Sequence, residues 1–324
     1  MSEWTFHGGR LSAARLRFAS APEPWLDLST GINPHPWPGA AAMEIDWRAL
    51  PDEAGLRALE AAAAVCFGTS PDFVCALPGT EIGLRLLDTL PLPRPAFHVA
   101  DGYRTHAEAL SGSQSIDAHA IPTRGGRTVL LANPANPDGH IFSTEALLDI
   151  TQAGGWLIVD EAFADALPGT SVAHHVAEDR PLMVLRSFGK FFGLAGLRLG
   201  FAIGPRAMID RLRARLGSWP VSTAALQIGA AAYADAAWIA MMRQALADEA
   251  AALDVVLRRH GFDPRGTCPL FRLIETGHAE ALFEHLAGQG ILTRPFDHHP
   301  RWLRLGLPGS EAALDRLDRA LGLG

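Results

Sequence analysis

Six short apolar runs punctuate residues 73–203, alternating with stretches whose apolar residues recur every three to four positions. Runs such as TVLLA (128–132) and WLIVD (156–160) have no alternating polar face, so each must be covered on both sides. Strands are predicted over Phe73–Leu77, Ala96–Val99, Thr128–Ala132, Trp156–Asp160, Leu182–Arg186 and Leu199–Ile203. Helices are predicted over Glu53–Val65, Thr80–Leu90, Thr144–Ala153 and Met208–Leu216. That alternation implies an α/β fold, a mostly parallel sheet with helices on both faces. In such sheets ligands gather beyond the C-terminal ends of the strands.

Past Pro220 the pattern changes. A long Ala-rich helix, roughly Thr223–His260, leads into shorter strand candidates in CPLFRLIE, GILTRPF and WLRLGLP. A closing helix, SEAALDRLDRALG, starts with Ser310 as its expected N-cap. The first 40 residues are rich in Pro and Gly and show little periodicity, as expected for an arm that packs on the smaller domain or on a partner subunit. The expected division is therefore a large domain at 41–222, and a smaller α+β domain from 1–40 and 223–324.

Composition narrows the functional classes. With 48% hydrophobic and 19% charged residues, the 324-residue chain is globular and long enough for a sizeable core. A net charge of -7 argues against a nucleic-acid partner but leaves room for local basic pockets. Three cysteines without a CxxC pair point to a reducing compartment and to neither disulfides nor zinc. The doublets His174-His175 and His298-His299 lack matching Cys or carboxylate positions, so no metal site is expected. The N-terminus carries no secretory pattern, and no run of about 18 apolar residues could span a bilayer. A cytoplasmic protein without membrane contact is the expectation.

Four segments fall where the strand ends converge. LPGTEIG (77–83) places Gly79, Thr80 and Glu81 at a strand-to-helix turn, where free backbone N–H groups can receive a phosphate; an ordinary helix cap has the same pattern. ANPANPDG (132–139) makes a rigid turn that can aim an Asn side chain into a cleft, or serve only as a turn. Asp160 ends an apolar strand, where an acid is costly without a cationic or hydrogen-bonding partner. In SFGKFFGLAGLRLG (187–200), Lys190 lies in apolar surroundings that favour a neutral amine, able to form a Schiff base with an aldehyde. Ser187 and Arg198 offer a hydroxyl and a guanidinium for a dianionic phosphate.

Together these are the parts needed to hold pyridoxal 5'-phosphate. Lys190 would bond its aldehyde, and Asp160 would keep its pyridine nitrogen protonated. Asn136 would donate to the 3'-oxygen, while Gly79, Thr80, Ser187 and Arg198 would grip the phosphate. In this order, NPANPDG, DEAF and SFGKFFGLAGLRLG resemble the fold-type I aminotransferases of classes I and II. The resemblance implies an enzyme with a large cofactor domain, a small domain built from both chain ends, and a homodimer with active sites at the subunit interface. In DGYRTHAEAL it makes Tyr103 the aromatic residue that stacks on the cofactor ring. Two positions depart from the family. Phe163 stands where most relatives carry a tyrosine that touches the 3'-oxygen, and Leu50 where a partner's tyrosine commonly meets the phosphate.

FHGGRLSAA and WLDLSTGINPHPWP, at the start of the chain, resemble the threonine-phosphate decarboxylase branch of that family. That branch makes (R)-1-amino-2-propanol O-2-phosphate from L-threonine O-3-phosphate for cobalamin biosynthesis. The resemblance implies that His7, Ile32, Asn33 and Arg294 meet the substrate's phosphate end. It also implies that Arg304 in WLRLGLP holds the α-carboxylate and that Asn136 borders the substrate. Two alternatives stay open at this point. One is a histidinol-phosphate aminotransferase, favoured by tyrosines at positions 50 and 163; the other is a cofactor-binding scaffold that has lost catalysis, against which Lys190, Asp160 and Arg304 speak.

Overall fold

The computed structural model describes residues 2–5, 7–121, 125–152 and 154–322. The chain divides into two compact units, a larger one of residues 36–136 and 140–241 and a smaller one of 1–35, 137–139 and 242–324. The smaller unit opens with a short strand, β1 (Leu26–Asp27). The larger unit follows with β2 (Val74–Leu77), β3 (Ala96–Val99), β4 (Gln114–Ile116) and β5 (Thr128–Ala132). It continues with β6 (Trp156–Asp160), β7 (Leu182–Ser187) and β8 (Gly200–Ile203). The smaller unit resumes with β9 (Phe271–Glu275), β10 (Ile291–Leu292), β11 (Arg294–Pro295) and β12 (Trp302–Gly306).

The seven strands of the larger unit lie in the order β2-β8-β7-β6-β5-β3-β4, and all are mutually parallel except β8, which runs antiparallel to both of its neighbours. β4 was not foreseen: QSI lacks an apolar run, as suits an edge strand with one paired side. Both faces of the sheet are covered. Ala202 on β8 packs into a layer with Leu84, Leu87, Ile209 and Leu212. Its neighbour Phe201 points the other way, into an aromatic layer with Phe67 and Tyr233 at ring separations of 5.5 and 5.6 Å.

The Ala-rich stretch is two helices, Thr223–Ala234 and Ala236–Arg259, and not the single helix expected. Asp235 breaks it by accepting from Trp238 N at 3.0 Å, which caps the second helix, and from Trp37 Nε1 at 3.0 Å. The first of the two helices packs on Glu53–Phe67 within the larger unit.

In the smaller unit β11, β12 and β9 form an antiparallel sheet, while β1 pairs in parallel with β10. The N-terminal arm is held here. Trp4 and Phe18 pack on Phe283 of the helix Ala279–Gly288 at 5.7 and 6.4 Å. Ser310 caps the closing helix Glu311–Leu321 by accepting from Ala313 N at 3.2 Å.

One buried ionic network ties β6 to β7. Arg186 donates to Glu161 at 2.8 Å and to Ser171 at 3.1 Å, pairs with Asp165, and lies 4.7 Å over the Phe67 ring. Burial would lower the guanidinium's pKa, but Asp165 and Glu161 hold it above its usual value. Glu161 is pushed up by burial, which outweighs the pull of Arg186. Removing the cation strands two buried carboxylates, so Arg186→Met should destabilise folding by about 3–5 kcal/mol in urea titrations. Glu161→Gln, which keeps an acceptor, should cost markedly less.

Candidate active site

Strand direction gathers the site at one edge of the larger sheet. β2, β3, β5, β6 and β7 end there, and the antiparallel β8 begins there. Register makes this concrete: Leu77 and Ser187 both lie opposite Gly200, and Ala132 lies opposite Asp160, which is opposite Leu185. Gly79 and Thr80 therefore follow β2, Tyr103 follows β3, Asn136 follows β5, Lys190 follows β7, and Arg198 precedes β8 at that edge.

Gly79 (φ 86°) and Arg198 (φ 54°) both adopt left-handed backbone, which is uncommon for a side chain as large as arginine's. A Cβ on Gly79 would lie 2.7 Å from Arg198 Nη2. The two residues thus share a space that glycine alone leaves open, beside the N-terminus of the helix Thr80–Leu86. Lys190 is half-buried on the short helical turn after Ser187, with Nζ 5.9 Å from the centre of the Phe163 ring. Of the two Asn-Pro pairs, Asn133 is structural: buried, it donates to Thr170 O at 3.0 Å and accepts from Phe142 N at 3.0 Å. The half-buried Asn136 is the one in the turn at the strand edge.

Each oxygen of the buried Asp160 carboxylate has a partner and keeps a further lone pair. Oδ1 accepts from Ala162 N at 3.1 Å, and Oδ2 lies 3.0 Å from Nε2 of His106, itself 1% exposed. His106 escaped the sequence reading because a lone histidine in THAEAL carries no motif. The available signal was that a buried acid must have a partner, and that His106 lies one helical turn past Tyr103. Its ring stands edge-on to Tyr103 at 5.9 Å. Burial and the nearby Glu81 push the Tyr103 phenol up to about 12. Glu81 does not stand alone at the turn: its carboxylate accepts from the Tyr103 hydroxyl at 3.0 Å and from Arg85 Nε at 3.0 Å.

The smaller unit holds a second cluster. Arg294 on β11 lies directly opposite Arg304 on β12. Like charges directly opposite one another are mutually unfavourable. Arg304 is 2% exposed, donates to Ser29 O at 2.9 Å and lies 5.1 Å over Phe271. Burial and the neighbouring Arg294 lower its pKa. The HGG motif docks on the same Ser29: Gly9 N donates to Ser29 Oγ at 2.8 Å, and a Cβ on Gly8 would lie 2.2 Å from Ser29 O. Close approach of the two backbones thus explains the first glycine, and it places His7 next to that contact. Asn33 is buried, its Oδ1 accepting from His35 N at 2.8 Å, and Ile32 beside it is half-buried.

Comparison with known proteins decides the family. Residues 107–321 match aminotransferase class I and II. The chain is 40% identical to the threonine-phosphate decarboxylase of Pseudomonas aeruginosa, over 97% of this chain and 96% of the other. It is 39% identical to that of a Sinorhizobium species, over 99% and 98%. The chain belongs to the threonine-phosphate decarboxylases, within the class I and II aminotransferases. Its fold is that of a histidinol-phosphate aminotransferase from Sinorhizobium meliloti solved with pyridoxal-5'-phosphate, with a TM-score of 0.81 at 20% identity over 96% of this chain and 92% of that one.

The cofactor of a threonine-phosphate decarboxylase with this fold is pyridoxal 5'-phosphate, and the residues present fit it. The Gly79–Arg198 opening at a helix N-terminus suits a phosphate, and the buried Asp160, tied to His106, suits a protonated ring nitrogen. Among the described residues no cluster of His, Cys, Asp and Glu could hold a metal ion, and no helix is long and apolar enough to cross a membrane. Gly79→Ala would fill the opening and strain a left-handed backbone. Cofactor affinity, measured by fluorescence titration of apoprotein, should fall about tenfold or more.

Proposed function

We propose that this chain decarboxylates L-threonine O-3-phosphate to (R)-1-amino-2-propanol O-2-phosphate in the cytoplasm, as a step of cobalamin biosynthesis. The observation that carries the reading is the Arg294–Arg304 pair beside the HGG-docked Ser29, combined with likeness to two threonine-phosphate decarboxylases along nearly the whole chain. Two guanidiniums suit a substrate with two anionic groups, a phosphate and a carboxylate. Phe163 and Leu50, in place of the family's tyrosines, favour this reading over a histidinol-phosphate aminotransferase.

Lys190, Asp160, Tyr103, Asn136, Ser187, Thr80 and Arg198 would hold the cofactor. When bound, it supplies an aldehyde that takes up an amine and a π system that accepts an electron pair from Cα. The chain's task is to choose which Cα bond breaks. For decarboxylation, the chain must present the substrate so that Cα–COO⁻, and not Cα–H, is the bond that breaks. His7, Asn33 and Arg294 bind the substrate phosphate and fix the rotation about the bond to Cα, while Arg304 orients the carboxylate. Release of CO₂ would leave an electron pair at Cα that takes up one proton. Lys190 Nζ is the chain's amine at that position and holds the proton that replaces CO₂. Asp160, kept in place by His106, holds a proton at the ring nitrogen.

The chain acts as a homodimer in this reading. The larger unit exposes Trp47 (79%), Leu50 (65%) and Trp219 (59%), and Trp219 adopts a left-handed backbone with φ 57°. Large apolar side chains left in water mark an association surface. Sedimentation should give twice the chain mass, and Trp219→Glu should shift the protein toward monomer.

The deciding assay compares CO₂ release from L-threonine O-3-phosphate with keto-acid formation from histidinol phosphate plus 2-oxoglutarate. CO₂ release from the first substrate alone is expected; 2-oxoglutarate-dependent product without CO₂ overturns the reading. Arg294→Gln should lower kcat/KM by about 30-fold or more, equivalent to roughly 2 kcal/mol for a truncated charged contact. The loss should be smaller for an analogue that lacks the phosphate.

A further inference from the structure

We propose that Glu81 is a positioning residue that couples the phosphate cradle to the ring-stacking Tyr103, so that the two ends of the cofactor bind cooperatively. The inference rests on the cofactor assignment above and adds a role for the Glu81 side chain, whose backbone N–H lies in the phosphate turn. Glu81 is the second residue of the helix Thr80–Leu86, whose N-terminus borders the Gly79–Arg198 opening. A carboxylate at that position would compete with an incoming phosphate for the same helix end. Here both of its oxygens are already committed elsewhere.

Oε2 accepts from the Tyr103 hydroxyl at 3.0 Å and from Thr105 Oγ1 at 2.9 Å. Oε1 accepts from Arg85 Nε at 3.0 Å and from the same Thr105 hydroxyl at 3.2 Å. Arg85 also pairs with Glu108 at 2.6 Å, on the helix Thr105–Ala109 that carries Thr105. Burial raises the Glu81 pKa, but hydrogen bonds from Thr105, Arg85 and Tyr103 outweigh it and keep the carboxyl below its usual value. It is thus an ionised acceptor, the state in which hydroxyl donors bind it most strongly.

The result is a strut between two cofactor-contacting elements. One end is fixed in the first turn of the cradle helix. The other holds the phenol of Tyr103, whose ring is edge-on to His106 at 5.9 Å, and His106 in turn holds Asp160. Any displacement of the cradle turn therefore displaces the ring clamp. An anion that settles the cradle settles Tyr103 as well, which is a coupling free energy between two subsites.

The test splits the cofactor into its ends, using pyridoxal and inorganic phosphate as separate probes on the full-length apoprotein. In the unaltered protein, saturating phosphate should tighten pyridoxal binding about fivefold or more, and pyridoxal should tighten phosphate binding by the same factor. In Glu81→Gln and in Tyr103→Phe that factor should fall toward one, and the double variant should show no further loss. The visible circular dichroism of bound cofactor should weaken in both single variants while the unfolding midpoint of the apoprotein moves little. A purely structural role would move the midpoint and leave the coupling factor. Undiminished coupling in either single variant, or additive losses in the double variant, overturns the proposal. Should Glu81→Gln fail to fold, Tyr103→Phe decides the matter alone. Failure of the cofactor assignment looks different: the unaltered protein would then show no absorbance band that disappears in Lys190→Ala.

Discussion

A carboxylate at the end of a fully buried strand is the constraint around which the larger unit is arranged. Both oxygens of Asp160 need hydrogen-bond partners there, because a buried polar group left unsatisfied is costly. Ala162 N serves one oxygen and His106 the other. Satisfying the second requires the loop after β3 to bring His106 to the end of β6, past the intervening β5. That same loop carries Tyr103, so the demand of one buried acid also brings the stacking aromatic residue to the strand edge. Glu161, just past the end of β6, and Arg186 on β7 lock the strands that carry Asp160 and lead to Lys190.

The antiparallel β8 solves a different problem. A parallel strand in its place would leave Arg198 at the far edge of the sheet, away from the phosphate turn after β2. Reversed, β8 starts where its neighbours end, and one glycine, Gly200, lies opposite both Leu77 and Ser187. The groups proposed to bind the phosphate thus come from three strands that meet in one place, although they span some 120 residues of sequence between Gly79 and Arg198 (roughly, by position).

Much of this was legible in the sequence, for identifiable reasons. Short runs that are apolar throughout, or nearly so, end abruptly, so β3, β5 and β6 match their expected limits residue for residue. The edge strand β4 was hidden because pairing on one side demands no apolar run. The break at Asp235 was hidden because an alanine-rich stretch continues in composition on both sides of it, and only the capped Trp238 N reveals the stop. Cofactor residues lay inside motifs, whereas His106 and Glu81 act on other side chains and not on the ligand, so no ligand chemistry marks them. The facing of Arg294 and Arg304 depends on the register set by the connection between β11 and β12, which hydrophobic periodicity does not encode.

The opposed arginines of the smaller unit have a consequence for the life of the protein as well as for its chemistry. Two guanidiniums on facing strands, one of them buried, are a pairing that a bound anion would favour. Any anion that binds there only when the unit is folded adds to its stability in proportion to its saturation. In the function proposed above, the substrate is also a folding ligand. A cell that makes the phosphorylated amino acid would then keep more of the enzyme folded, and one that stops making it would expose the enzyme to proteolysis, so supply of substrate and abundance of catalyst would be linked through a single cross-strand pair.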